Sequence, residues 1–354
     1  MKKFIKIISI AIVASYIFIP CMVKAGNKDR AGSAGASQLL INPWAKSSGM
    51  GNSNTASIRG LEASFLNVAG TAFTKKSEFM FAHTIYLKGA DVNINSFGFT
   101  QKVGKEGAGG VLGLSIMNMS FGDLMITTTE LPEGGIGTFS PSLMNIGISY
   151  AKAFSNSIFG GINVKIISES ISDVKGQGVA IDAGIQYVTG EAENIKFGIS
   201  LKNVGTPIKY TGDGLTFRGY VPGAANAMTI SHRSSFYELP SLLNIGGAYD
   251  FNFKESYKLT LAGNFTSNSF TKDIFCGGLE FALKDLFFLR AGYTYEMGQE
   301  KIEEKTTIFT GPTAGFTVKV PLNKENGTHF DLDYSYRATN PFTGCHSIGA
   351  RINL

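Results

Sequence analysis

Phe330-Asp331-Leu332-Asp333-Tyr334-Ser335-Tyr336-Arg337 alternates without a break between apolar and polar side chains. Successive residues of a strand point to opposite faces, so Phe330, Leu332, Tyr334 and Tyr336 make one oily face and Asp331, Asp333, Ser335 and Arg337 one polar face. The same period recurs upstream. Tyr257, Leu259, Leu261, Gly263 and Phe265 oppose Lys258, Thr260, Ala262, Asn264 and Thr266, and Ile195, Phe197, Ile199 and Leu201 oppose Lys196, Gly198, Ser200 and Lys202. A soluble sandwich alternates in this way too, so the count and length of the runs carry the decision.

Reading the runs between turn residues gives fourteen strands, starting near Ser77, Val92, Ala108, Pro141, Asn156, Gln177, Glu193, Ser241, Glu255, Asp273, Leu286, Gly311, Gly327 and Thr343. Fourteen is even, as bacterial single-chain barrels require. Most runs exceed the ~9–11 residues that carry a tilted strand across a bilayer, whereas soluble strands usually stop at about five or six. With both termini periplasmic, odd-to-even connections lie outside. The three long ones (121–140, 204–240 and 298–310) all have that parity. The last strand, with Ile348, Ala350, Ile352 and Leu354 on one face, runs to the final residue. His83 is a mismatch, because it falls on the oily face of the first strand beside Phe79, Phe81, Ile85 and Leu87.

Composition agrees. Charged residues are 17% of 354, with 43 glycines and one tryptophan, against roughly a quarter charged in a soluble domain. The net charge of +5 is concentrated at the amino end: Lys2, Lys3, Lys6 and Lys24 have no acid among them, leaving 28 basic against 27 acidic residues. Nucleic-acid binding has no electrostatic footprint here. Lys2 and Lys3 precede an apolar run at 4–19, and Val23-Lys24-Ala25 offers small residues for cleavage, so 1–25 reads as an export signal cut near Ala25. No later run of 18 apolar residues occurs, which leaves a closed barrel as the way to span a membrane. Cys276 and Cys345 lie on strands ten and fourteen, which are not neighbours, and are expected to stay unbridged. No cofactor or metal site is expected, since zinc needs clustered Cys or His.

The expected organisation is therefore a signal at 1–25, an N-terminal segment at 26–76, and an all-β, fourteen-stranded antiparallel transmembrane barrel at 77–354. In the N-terminal segment Ile58, Leu61 and Phe65 recur at helical spacing, with Gly70 placed to cap the helix. An apolar helix face must be covered, and the periplasmic mouth of the barrel is the nearest shelter, so the segment is expected to plug it. Catalysis is not expected. The four histidines, His83, His232, His329 and His346, offer no serine with an activating base, and Gly107-Ala108-Gly109-Gly110 lacks the strand-to-helix setting of a phosphate loop.

Several blocks resemble the PorV/PorQ family: 35–41, then Asn42-Pro43-Trp44, Gly49-Met50-Gly51, Phe65, Asn67 and Gly70, then Glu238-Leu239-Pro240-Ser241-Leu242-Leu243-Asn244-Ile245-Gly246. Where that family has proline after the asparagine, this chain has Val68. The resemblance implies a fatty-acid-transporter-like barrel in the outer membrane, working without catalysis in type IX protein secretion. It implies as partners the translocon barrel, the C-terminal signal domains of cargo, the attachment-complex proteins and outer-membrane lipid, or anchoring of a surface partner. Two long loops would then offer Leu124, Met125, Ile126, Leu131 and Phe139, and Tyr210, Leu215, Phe217 and Tyr220, to partners. The alternative on the same fold is a channel for hydrophobic compounds. Against it stand Lys165, Asp182, Lys196, Lys202, Glu280, Asp331, Asp333, Arg337 and Arg351, which are expected to face the lumen and fill it with ion pairs.

Overall fold

The computed structural model describes residues 28–354 apart from 105–108, 224, 254–255, 299–304, 324 and 340–341. The export signal and its cleavage site lie outside the described residues. Fourteen strands form the wall: β1 Ser77–Leu87, β2 Val92–Val103, β3 Gly110–Ser120, β4 Ser142–Ala153, β5 Ile158–Ile171, β6 Val174–Thr189, β7 Ile195–Gly205, β8 Leu242–Phe253, β9 Tyr257–Asn268, β10 Ile274–Leu283, β11 Phe287–Glu296, β12 Gly311–Asn323, β13 Thr328–Arg337 and β14 Cys345–Asn353. Each is antiparallel to its neighbours, and β14 closes on β1 through pairs such as Ala350 with Phe81. The period-two runs thus mark the strands, each within three residues of its expected start. One extra strand, Tyr210–Thr211, pairs with the end of β6. Two short hairpins stand on the long loops: Leu124–Met125 with Thr138–Phe139, and Thr216–Gly219 with Met228–Ser231.

Closure fixes which face is which. On β13 Asp331, Asp333, Ser335 and Arg337 are buried in the lumen while Leu332 is exposed on the outside. Register aligns Phe81, Phe97, Ile116, Ile146, Ile166 and Val179 into one apolar row across six outward faces. An oily exterior and a polar interior with every strand edge paired is the form in which β-structure enters an outer membrane. Among the described residues no helix is long and apolar enough to cross one.

His83 does face outward, and the phase of β1 is as read. Its Nδ1 lies 2.8 Å from Asn95 Oδ1, and the register continues that row to Asn118. The next residues on the same faces are Asn93 and Ser120. The outward surface turns polar on β2 and β3 at the height of His83, while β1 continues to exposed Ile85, whose partner His346 shares a hydrogen bond of 2.8 Å with Tyr334. Both remaining cysteines are free and buried.

The N-terminal segment fills the lumen and is not confined to one mouth. Ala34 pairs with Glu238 in the long loop between β7 and β8, and Thr74 meets Thr100 near the opposite, short-turn end. Between them Ser37–Leu40 and Val68–Phe73 are 3-10 helices and Ala45–Gly49 and Ala63–Leu66 single α-turns. Trp44, Ile58 and Leu61 are fully buried. The expected short helix is present as the single turn Ala63–Leu66, but Gly70 does not cap it. It sits inside the 3-10 turn, where an added Cβ would lie 2.8 Å from Ala63 Cβ and strike the Ile58 carbonyl.

Candidate functional site

The plug seats on glycine. Lumen-facing Gly98, Gly161, Gly184, Gly198, Gly246, Gly278, Gly292 and Gly315 all lack the side chain that would collide with it: a Cβ at Gly198 would stand 2.6 Å from Thr55 O, and one at Gly161 3.0 Å from Val68 O. Removing side chains at one height lets backbone touch backbone. Asn67, Gly49, Met50 and Gly51 all lie in this seat. Asn67 Nδ2 donates to Ile185 O and to Thr55 O, both at 3.1 Å. Asn42 Oδ1 accepts from the Trp44 N–H at 2.9 Å and so sets the turn that begins the Ala45–Gly49 helix, with Pro43 between them.

Most lumen charges are paired, as a low-dielectric interior demands. Lys165 lies 2.7 Å from Asp182, Lys196 2.5 Å from Asp250, and Arg290 2.6 Å from Glu280. Arg351 of β14 reaches Glu78 of β1 at 3.3 Å and Glu62 of the plug and Asp333 of β13 at 3.7 Å. The expectation of ion-paired filling is met at these four places round the barrel, and two of the expected lumen cations escape it. Among the described residues no carboxylate lies within 4.0 Å of Lys202 or Arg337. Lys202 Nζ sits 3.6 Å from the centre of the Phe65 ring, and the Arg337 guanidinium 4.3 Å from that of Phe309. Two buried nitrogens of Arg337, Nε and Nη2, have no hydrogen-bond partner.

Both cations line the same cavity. It has a volume of about 280 Å³ and lies above the plug on the long-loop side, between the plug and β7–β13. Leu40, Ile41, Phe65 and Leu66 of the plug supply apolar lining, together with Leu242, Ile274, Ile308 and Phe309 from the wall and the β11–β12 connection. Tyr86 of β1 packs on Phe309 with ring centres 5.6 Å apart. Asn244, Asn264, Thr266, Asn268, Thr294 and Thr313 line it too, so the hollow is mixed, and an apolar surface with placed polar groups is the usual form of a small-molecule site. Sequence reasoning placed Lys202 and Arg337 in the lumen but missed their lack of partners. It passed over Ile308-Phe309 too, an apolar pair that stands out at the end of the charged 298–307 stretch.

At the top, the carboxylate of Glu169 on β5 accepts from Gln38 Nε2 at 2.8 Å, from Tyr237 Oη at 2.7 Å and from Tyr210 Oη. It ties plug, loop and wall together. Of the other loop residues, Leu124, Met125, Ile126, Leu131, Phe217 and Tyr220 are exposed, and Phe139, Tyr210 and Leu215 half-buried. The two hairpins thus carry their apolar residues outward. The histidine rings bond Asn95, Gly327 O, Tyr334 and Asn353 or stack on Phe217, and among the described residues none bonds a serine hydroxyl.

No family model and no curated protein matches the sequence. Solved structures do. The Pseudomonas putida toluene transporter TodX superposes with a TM-score of 0.55 at 13% identity, covering 88% of this chain and 97% of that one. The monoaromatic hydrocarbon channel CymD gives 0.53 at 13% identity over the same shares, and the Ralstonia pickettii toluene transporter TbuX gives 0.52 at 12%. The shared property is the fold: a fourteen-stranded barrel built like these channels.

These findings overturn the type IX secretion reading. The structural neighbours are named as toluene transporters and a monoaromatic hydrocarbon channel, and nothing links the chain to PorV or PorQ, to a translocon, to cargo signal domains or to an attachment complex. The blocks that carried that resemblance pack on one another inside this barrel, Gly35 N–H donating to Glu238 O at 3.0 Å. They encode an internal contact between plug and loop.

Proposed function

We propose that this protein is a non-enzymatic outer-membrane channel for hydrophobic compounds that carry an anionic head. One observation carries the reading: a cavity lined by Phe65, Leu66, Leu242, Ile308 and Phe309 holds two buried cations, Lys202 and Arg337, with no carboxylate partner among the described residues. A buried charge left unpaired is costly, and an incoming anion would relieve that cost while its chain covers the apolar lining. The neighbours named as toluene and monoaromatic hydrocarbon channels support passage of hydrophobic compounds on this fold. The two cations add the head-group requirement. Exposed Leu124, Met125, Leu131 and Tyr220 on the loop hairpins would make first contact with such a compound outside.

The test is direct binding to the barrel in nanodiscs, comparing dodecanoate with dodecanol. A charge-assisted hydrogen bond contributes about 1.5–3 kcal/mol, or roughly 10–100-fold in affinity. Arg337→Gln and Lys202→Met should each weaken dodecanoate by about that factor and leave dodecanol unchanged. Equal binding of acid and alcohol by the unaltered protein would overturn the proposal.

A further inference from the structure

The plug is held unevenly. Against β5–β7 it is bolted by Asn67, by Gln186 Nε2 donating to Thr55 O at 3.2 Å and Ile58 O at 3.0 Å, and by Ser200 Oγ donating to Leu66 O at 2.8 Å. Against β14 and β1 it is held by the Arg351 ion pairs and by the Leu61 N–H, which donates to Glu78 at 3.0 Å. Against β10–β12 the contact is of another kind. There the 49–53 loop rests on bare backbone, with a Cβ at Gly292 standing 2.5 Å and one at Gly278 2.7 Å from Met50 O. Among the described residues its hydrogen bonds to that wall are two hydroxyl contacts, Thr313 donating to Gly49 O at 3.1 Å and Thr294 to Gly51 O at 3.4 Å. The Met50 side chain packs on three alanines, Ala56, Ala248 and Ala262. Gly51 and Asn52 both have left-handed backbones, with φ of 63° and 62°.

This loop, weakly held to the wall but tied to its own plug by Asn42 Nδ2 donating to Asn52 Oδ1 at 2.7 Å and by the Asn52 N–H donating to Ser47 O at 3.0 Å, is also a partition. Gly51 and Asn52 line the cavity above the plug, while Met50 and Asn54 line a second void of about 350 Å³ beneath it, which reaches the β6–β7 turn at Ala192 and Glu193. The lower chamber is lined by Lys46, Arg59, Lys196 and Lys258 together with Glu62, Asp250 and Glu280. It is polar where the upper one is oily. Two chambers on the same wall therefore meet across one short loop, which that wall grips through two threonine hydroxyls and otherwise bare backbone.

We propose that the 50–53 loop is the gate of the channel, and that a bound amphiphile passes from the upper cavity to the lower chamber between this loop and the glycine-paved face of β10–β12. The inference rests on the channel reading above. Passage along this wall disturbs few polar contacts, whereas passage on the β5–β7 side would break the Asn67, Gln186 and Ser200 bonds. Gly278, Gly292 and Gly315 at the loop's seat leave room for a chain once the loop lifts, and the Glu280–Arg290 pair on the same strands stands below them.

The experiment locks the loop. In a Cys276→Ser, Cys345→Ala background, Ser53→Cys with Gly278→Cys places two thiols where the Ser53 hydroxyl now meets the Gly278 position. Asn67→Cys with Gly184→Cys does the same on the bolted side. Transfer of dodecanesulfonate, whose permanent charge slows its own crossing, is measured into vesicles carrying each barrel, oxidised and then reduced. The expected result is an at least tenfold drop for the oxidised Ser53–Gly278 pair, restored by dithiothreitol, with no change for Asn67–Gly184. Equal transfer with the gate locked would overturn the gate and leave the channel reading standing. No transfer by the unaltered barrel would overturn both. Should the paired variants fail to fold, Gly292→Leu supplies the second measurement. A side chain in the loop's seat should raise single-barrel ion conductance several-fold, and unchanged conductance would contradict the proposal.

Discussion

Arg351 on the last strand stands 3.3 Å from Glu78 on the first, so the seam that closes the barrel is also an ion pair. The same guanidinium reaches Glu62 of the plug, which makes one side chain the junction of three parts. Breaking a buried pair by removing one partner costs about 3–5 kcal/mol, because the other charge is left stranded. Arg351→Met should therefore lower the unfolding midpoint of the barrel in a heat-modifiability gel. Adding Glu62→Gln and Glu78→Gln to that variant should recover part of the loss, since two of the three stranded carboxylates are then neutral and only Asp333 remains.

Neighbouring residues on β7 should answer oppositely to substitution. Ile199 faces outward between Ile185 and Ile245, and Ile199→Lys should cost about 2–4 kcal/mol in folding into liposomes, as charges on a lipid-facing wall do. Ser200 faces inward and bonds the plug. Ser200→Ala should cost only about 1 kcal/mol and leave insertion intact while raising proteolysis of the 45–74 segment.

The Glu169 clamp should fail only in strong base. Burial, and then the bond to Glu169, pushes the Tyr210 phenol up to about 12, and burial raises Tyr237 as well. An unfolded tyrosine titrates near 10, so the folded state favours the neutral donor. That contribution is whole below about pH 10 and disappears as pH climbs towards 12. Nicking of the loop at Arg218 and Arg233 should therefore stay low from pH 7 to 9.5 and rise above 10. Glu169→Gln should bring fast nicking already at pH 8.

A side chain placed on the bolted side of the seat should push plug from wall. Gly198→Val would set carbon within 2.6 Å of Thr55 O. Overpacking of this kind costs about 1–3 kcal/mol, and it should appear as a lower unfolding midpoint with the strand content in circular dichroism unchanged.

The wall was legible in the sequence because lipid outside and charge inside impose a period of two that nothing else along the chain mimics. Even His83, which broke the pattern, was in phase and opens a polar row with Asn95 and Asn118. The plug was less legible. Its grip comes from backbone resting on Gly184, Gly198, Gly278 and Gly292 of distant strands, and glycine in a strand announces a close approach without saying what approaches. Its path past Glu238 depended on pairing across two hundred residues. The cavity was half legible: Lys202 and Arg337 were placed in the lumen with seven other charged residues, and only the three-dimensional arrangement separates the paired ones from these two.

The ring of lumen glycines ties the history of the two parts together. A stopper and the bore that accepts it are here shaped to each other at eight points of the circumference, so a foreign N-terminal segment grafted onto this cylinder would find hollows where it needs contacts. Hybrids should work only when the stopper and its bare annulus are exchanged as one cassette.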